Sequence, residues 1–304
     1  MMLETLFSGA VASGTSVLYG ILGETVTERV GVINLGTEGC MIVGALAAYA
    51  VAYQTGSPIL GVVFAMIAGG CMAALHAYLV LSRKSNQLAT GLAIMFLGLG
   101  LTAFFGRDYV SAAVEGFKKI EIPLLSKIPI IGQALFHQDL LTYLSYILCP
   151  FLCYLLYKTR FGLKLRATGE DVSVVYSYGT NPKRMAYIGV ILGGMITGIG
   201  GAQLAIAYTH TWTDGMTNGR GIIATALVVL AAYNPGKAVI GAYIFGGAQA
   251  LQSILQEKGV EISPFILMML PYVITLVALF ISSRKKYQPM PNELKKIIES
   301  SSNS

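Results

Sequence analysis

Long apolar runs alternate with short polar joints along almost the whole chain. A helix that crosses a bilayer needs about 20 apolar residues. Residues 3–22, 58–81, 87–106, 140–157, 185–208, 237–255 and 264–283 meet or approach that length. Two further apolar segments, 39–53 and 221–233, are shorter and flanked by glycine. The first can span only if part of the preceding run, 30–35, dips into the membrane. Residues 23–39 read as a polar, glycine-punctuated stretch. Residues 209–219 read as a polar turn holding the only tryptophan, Trp212. Residues 107–139 form a mixed-charge connection too rich in proline to span, which can lie partly at the interface. The pattern predicts an all-α, polytopic membrane helix bundle of eight to nine transmembrane helices. It occupies residues 1–283 and is followed by a basic tail, 284–304, frayed at its end.

Composition strengthens that reading. Of 304 residues, 55% are hydrophobic and 12% charged, with a mean hydropathy of +0.66. Soluble domains carry about 25% charged residues. Thirty-five glycines suit close helix packing, because membrane helices associate through small residues. Gly189 with Gly193 and Gly194 with Gly198 are two such spacings. Cys40, Cys71, Cys149 and Cys153 all fall in apolar runs without a ligand cluster and read as packing residues. The start, MMLETLF, has no basic region of the kind that opens a cleavable signal.

The net charge of +6 is a topology signal, not a sign of nucleic acid. Nine crossings place the 158–184 loop and the tail on one side. That side then collects 15 of the 21 basic residues, Arg29 and the 284–286 cluster among them, and leaves six opposite, including Arg220. Positive loops face the cytoplasm, so the first side is cytoplasmic and the N-terminus external.

The 158–184 loop contains RATGEDVSVVYSYGTNPKR, which cannot lie in hydrocarbon, where unpaired backbone groups cost several kcal/mol each. One reading is an ordinary solvated loop. The sharper one is a docking helix over 169–178, carrying Gly169, Glu170, Asp171, Val174 and Tyr178 toward a cytoplasmic partner. Ser173, Val174, Ser177 and Tyr178 would share a face by i, i+3, i+4 spacing.

Short or broken membrane segments are the best sequence pointer to a transport path. Asn34, Thr37 and Glu38 precede the first short segment; Asn218 and Arg220 precede the second. Gln203, Gln249 and Gln252 lie inside apolar helices, where polar groups line a path or bond a neighbouring helix. Glu38 can instead lie at the cytoplasmic interface. His76, His137 and His210 are far apart and read as incidental. The chain carries no metal motif, nucleophile triad or phosphate loop.

Three ordered blocks carry a resemblance: ERVGVINLGTEGCMIVGA (28–45), RATGED with YGTNPKRMAYIGVILGGMITGIGGA (166–202), and GRGIIATALVVLAAYNPGKAVIGAYIFGGAQALQ (219–252). Together they resemble permease subunits of ATP-binding-cassette importers, in the family handling branched-chain amino acids, simple sugars such as ribose, and nucleosides. SKIPIIG (126–132) is similar to the nucleoside and simple-sugar branch. Two departures, Ala-Tyr within AAYNP (231–235) and Cys40, bear on fine substrate choice. The resemblance implies inverted repeats, a second permease chain as a paralogue, and an ATPase subunit beneath. It implies no cofactor on this chain, the ATP being held by that subunit. It also implies an extracytoplasmic substrate-binding protein and a bacterial cytoplasmic membrane.

Three other classes fit less well. An ion-coupled transporter wants intramembrane acids or histidines, and Glu38 is nearly alone. A membrane enzyme lacks a nucleophile or metal set. A passive channel leaves the basic loop unexplained. The expected cargo is a nucleoside, with simple sugars such as ribose or galactose as runner-up. A nucleoside is neutral and wants neutral hydrogen-bonding groups along its path, with aromatic walls such as Tyr208, Tyr233, Tyr243 and Phe245.

Overall fold

The computed structural model describes residues 2–110, 112–123, 125–126, 128, 131–259, 262–283 and 290–302. Its helices in chain order begin with α1 (Met2–Arg29), α2 (Thr37–Thr55), α3 (Pro58–Ala77) and α4 (Gln87–Phe105). They continue with α5 (Ile131–Phe136), α6 (Leu140–Lys158), α7 (Arg160–Glu170), α8 (Val172–Ser177) and α9 (Pro182–Gln203). The last four are α10 (Arg220–Leu230), α11 (Pro235–Glu257), α12 (Pro264–Ser283) and α13 (Asn292–Ser302). One small antiparallel hairpin, β1 (Ile120–Glu121) with β2 (His137–Gln138), interrupts the all-helical pattern.

Six helical stretches among the described residues are long and apolar enough to cross a membrane. Two of them form the centre: 78% of the α1 window and 83% of the α9 window are buried, against 33% for α3, α4 and α6. A helix apolar all round belongs inside. The outer helices turn large apolar side chains outward, including Phe96, Phe104, Ile147 and Phe265. The polar groups Glu24, Glu28, Asn34 and Gln203 are buried. An apolar exterior around a polar interior is the arrangement a lipid solvent requires.

Glycine sets the close approaches of α9. A Cβ at Gly193 would meet the Gly23 carbonyl of α1 at 2.6 Å; one at Gly194 would meet the Gly69 carbonyl of α3 at 2.6 Å. Gly198 packs against Ala65 and Gly69 of α3 and against Gly44 of α2. The two small-residue pairs seen in the sequence are where α9 meets its neighbours.

Several expectations are corrected. The stretch 23–39 is not a polar joint: α1 continues through Arg29, and Thr25 and Thr27 return their hydroxyls to the Ile21 and Gly23 carbonyls of their own helix. The segment expected over 39–53 is a 19-residue helix, α2, starting at Thr37. Trp212 is buried at 1% exposure, and residues 110 and 113 bridge to 212 and 211. Cys71 is exposed rather than packed. The tail is helical over α13, with Leu294 buried in the core beside Val26 and Tyr233. Arg284, Lys285 and Lys286 lie outside the described residues, as do 127, 129 and 130 of the SKIPIIG run.

Arg29 and Arg220, counted above as loop charges, are both buried at 8% exposure. Arg29 donates to the Tyr233 carbonyl at 2.9 Å and the Tyr157 hydroxyl at 3.1 Å. One residue leaves each side of the charge count, so its asymmetry survives.

Candidate functional site

Two irregular segments, 30–36 and 209–219, enter the bundle, and the helices that follow them begin beside each other. Backbone buried without regular structure must find side-chain partners. For 30–36 they come from three helices. Glu24 Oε1 of α1 accepts from Asn34 N at 2.8 Å, and Glu24 Oε2 from Thr37 Oγ1 at 2.9 Å. Gln87 of α4 accepts from Ile33 N at 2.8 Å, and His76 Nε2 of α3 meets Ile33 O at 3.1 Å. His76 is therefore not incidental, since it holds the broken backbone.

Glu38, in the first turn of α2, reaches the start of α10. Its carboxylate accepts from Thr217 Oγ1 at 2.6 Å, Gly219 N at 2.9 Å and Gly221 N at 2.6 Å. A Cβ at Gly221 would strike the Glu38 backbone, so only glycine permits this approach. A carboxylate from the first turn of α2 thus holds the N-terminus of α10, which is equivalent to roughly half a positive charge. Tyr272 of α12 closes the side of the junction, donating to Asn218 O at 2.7 Å. Strain gathers in the same loop: His210 and Asn218 have φ of 55° and 44°, values uncommon for side-chain-bearing residues.

On the side of the hairpin, two adjoining cavities of about 460 and 440 Å³ share Ala12, Lys119 and Tyr208. Each is within the range of about 300–1,000 Å³ usual for small-molecule sites. The larger is lined by the charged residues Glu115, Lys118, Lys119 and Asp139. Tyr208 closes a π-helical segment, Leu204–Tyr208, that ends α9. Such segments are frequent at functional sites. Arg220 lies over its ring, with Cζ 5.9 Å from the centroid.

The opposite side carries α7 and α8. Arg166 of α7 stacks on Tyr157 at 5.0 Å and donates to Leu156 O at 2.9 Å. The same Tyr157 hydroxyl receives Arg29, so α6, α7 and α1 are tied at one ring. The helix expected over 169–178 is broken at Asp171, whose φ of −154° and ψ of 108° are extended. Its carboxylate caps α8 by accepting from Ser173 N and Oγ at 2.8 and 2.6 Å, bonds that hold its pKa below the ordinary value. Gly169 is buried, where an added Cβ would meet the Arg29 carbonyl at 2.5 Å, and belongs to the bundle rather than to an outer face. Glu170 faces solvent and accepts from Asn292 N of α13 at 3.4 Å. Ser173, Val174, Ser177 and Tyr178 are all exposed, Tyr178 at 82%, while Val175 turns inward.

The structure brings Asn34, Thr37 and Glu38 together with Arg220, but as buried groups with partners; none of the four lines the two cavities. Gln203 is fully buried and donates to Ala12 O at 3.1 Å, while its Oε1 has no partner. Gln249 and Gln252 are half-buried on α11, away from both cavities. Of the four aromatic residues expected along a path, only Tyr208 lines them. Sequence reasoning passed over Glu24, Ser13 and Ser16. Small hydroxyl residues recurring inside the first apolar run were the available signal.

A many-helix membrane bundle with two broken segments meeting at its centre is the architecture of a transport subunit. Residues 5–279 match the family described as branched-chain amino acid transport system / permease component, and the chain belongs to that family. It is 38% identical to a putative glucose ABC transporter permease protein of Haloferax volcanii, over 85% of this chain and 80% of that one. It is 32% identical to a guanosine ABC transporter permease protein of Bacillus subtilis, over 91% and 92%. A nucleoside ABC transporter permease protein of Lactococcus lactis is 29% identical over 94% and 95%. No solved structure matches the chain. The protein is a multi-pass membrane permease subunit rather than an enzyme.

Proposed function

We propose that this chain forms part of the membrane domain of an ATP-binding-cassette importer that carries nucleosides across a bacterial cytoplasmic membrane. The observation that carries the reading is family membership over nearly the whole chain, joined to a cavity of small-molecule size lined by Tyr208 and charged residues. Two of the three relatives above are named for guanosine or nucleosides. The runner-up cargo is a simple sugar, favoured by the 38% identity to a putative glucose permease. The partners are an ATPase subunit beneath α8, which holds the ATP, and a second permease chain as a paralogue. An extracytoplasmic substrate-binding protein sits over that cavity, and lipid surrounds the outer helices.

The path has nine crossings, two of them made of a broken segment plus a helix: 30–36 with α2, and 209–219 with α10. In each half a long central helix, α1 or α9, is followed by a break and a helix that starts beside Glu38. The two later helices then run in opposite directions, which supports an inverted repeat. The α7–α8 side faces the cytoplasm, because basic residues gather there. A single-cysteine Asp171→Cys protein in intact cells is expected to resist a membrane-impermeant thiol reagent; strong labelling from outside would reverse the orientation.

Uptake decides the rest. Labelled guanosine or adenosine is expected to enter cells carrying the full transporter, to stop on ATP depletion, and to continue with an uncoupler. Uptake abolished by the uncoupler would mean an ion-coupled transporter. Uptake of glucose, galactose or ribose with nucleosides ignored would replace the cargo and leave the permease assignment standing.

A further inference from the structure

Two helices on the α7–α8 side begin at two consecutive carboxylates. Asp171 caps α8, accepting from Ser173 N at 2.8 Å. Glu170, its chain neighbour, accepts at 3.4 Å from Asn292 N, at the first residue of α13. We propose that α13 is a strap that carries the movement of α8 to the broken segment 30–36, with Leu294 as its anchor and positioning residue. The proposal rests on the importer reading, in which α8 meets the ATPase subunit, and gives a role to a helix that reading leaves idle.

The geometry runs from α8 inward. Carboxylates are favourable at helix N-termini, where unpaired N–H groups leave a partial positive charge. Residues 170 and 171 are joined in the backbone, so a displacement of one carries the other, and with them the starts of both helices. The Asp171 pKa is lowered chiefly by its bonds to Ser173, and the charge of Lys296 in α13 adds to them. Lys296 also pairs with Glu293 at 2.6 Å. Its side chain is 68% exposed, and solvent screening leaves such pairs little holding force.

The holding force comes from the residue beside Glu293. Leu294 is 1% exposed and joins the apolar cluster that contains Val26 of α1 and Tyr233, against which Ile33 of the broken segment packs. Glu293 covers the start of that segment. Gly31 has a φ of 83°. A Cβ there would meet Glu293 Cβ at 2.9 Å and Gly169 Cα of α7 at 3.3 Å. The strap, α7 and the broken segment therefore meet at one glycine. A solvated tail gains nothing by ordering itself, since each fixed residue costs conformational entropy. Burial of Leu294 offsets part of that cost and fixes the strap where the segment leaves α1. What the strap then moves is the lead into α2, which carries Asn34 and its bond to Glu24.

The test uses the complete transporter in proteoliposomes, with its binding protein outside and ATP inside. The cargo is labelled guanosine, or labelled glucose where guanosine is ignored. The quantity read is ATP hydrolysed per cargo molecule carried. Loss of folded permease lowers both rates together and leaves that ratio unchanged, so the ratio separates a relay from a merely stabilising contact. Leu294→Ala is expected to raise the ratio roughly fivefold to tenfold, because removing a buried leucine side chain weakens the anchorage by at least that factor. Leu294→Met keeps the volume and is expected within about twofold of the parent protein. Glu170→Cys with Asn292→Cys, joined by a short thiol-reversible cross-linker, is expected to keep the parent's uptake and ratio, since the strap travels with α8. A parent-like ratio in Leu294→Ala, whether uptake is kept or falls together with hydrolysis, overturns the relay. So does uptake that the cross-link stops and a reductant restores, because α13 then has to leave α7 in each cycle. Absence of ATP-driven uptake in the parent protein overturns the importer reading and the strap with it, whereas glucose carried in place of guanosine corrects the cargo alone.

Discussion

Replacing Glu38 by alanine is expected to remove most of the folded, transporting protein from the membrane. Three donors converge on that carboxylate: Thr217 Oγ1, Gly219 N and Gly221 N, at 2.6–2.9 Å. Thr217 is 0% exposed and Glu38 3%, so water does not readily replace the lost acceptor. Each buried donor left unpaired costs about 1–3 kcal/mol. Three of them amount to several kcal/mol, a large share of the roughly 5–15 kcal/mol that holds an ordinary domain folded. Electrostatics acts in the same direction. The N-terminus of α10 presents its positive end to the carboxylate, and Arg220, the first residue of α10, adds a full positive charge. Without the carboxylate those charges face one another unscreened. Glu38→Gln keeps one acceptor oxygen but turns an NH2 toward a remaining donor, so an intermediate loss is expected. The measurement is the yield of monodisperse protein in detergent and its thermal midpoint, followed by uptake. An alanine variant with the parent's midpoint and uptake would show that the junction does not depend on Glu38.

Placing aspartate at Tyr178 or Val174 is expected to do the reverse, stopping ATP-driven uptake while the membrane bundle stays intact. Both side chains are exposed, at 82% and 43%, and exposed substitutions usually shift folding by no more than about 0.5 kcal/mol. Burying a new carboxylate against the ATPase subunit proposed to dock there has no such tolerance. Central interface positions are often worth 2 kcal/mol or more, so a fall in uptake of roughly tenfold or greater is expected. The lever behind α8 is stiff. Arg166 and Arg29 both engage Tyr157, and Gly169 sits directly on the Arg29 carbonyl. A push on α8 therefore reaches the Arg29 end of α1 through packed atoms. An effector shifts an equilibrium only through contacts that differ between its two states, and exposed side chains such as Val174 and Tyr178 beside a tied helix can supply them. Normal coupled uptake in Tyr178→Asp and Val174→Asp would place the contact elsewhere. A lowered thermal midpoint would show that α8 serves the fold instead.

The residues expected along a path divide by the same physics. Gln203 lies inside the bundle and away from lipid, bonded to the Ala12 carbonyl, because a polar group at that depth needs a neighbour. Asn34, Thr37 and Glu38 were rightly marked as unusual for an apolar region. Their partners, however, are one another's backbone, Glu24 and the start of α10, rather than open space. The broken segments were visible as short apolar runs. What satisfied them was not.

Hydrophobic runs, glycine spacing and the scarcity of charge were enough to establish a helical membrane bundle, and three ordered motifs were enough to establish its family. These are local properties: a run of apolar residues reports the solvent around it, and small residues report where helices must approach. The tertiary structure alone decided that α1 runs on through Glu24 and Glu28, that Arg29 and Arg220 are interior residues, and that His76 holds a carbonyl. It alone brought Glu38 to Gly219, 181 positions away in the chain. The reason is that a buried polar group in lipid is paired by whichever helix the fold lays beside it, and neither spacing nor composition carries that information. Periodicity names the face a residue occupies; only packing names the partner that makes its burial tolerable.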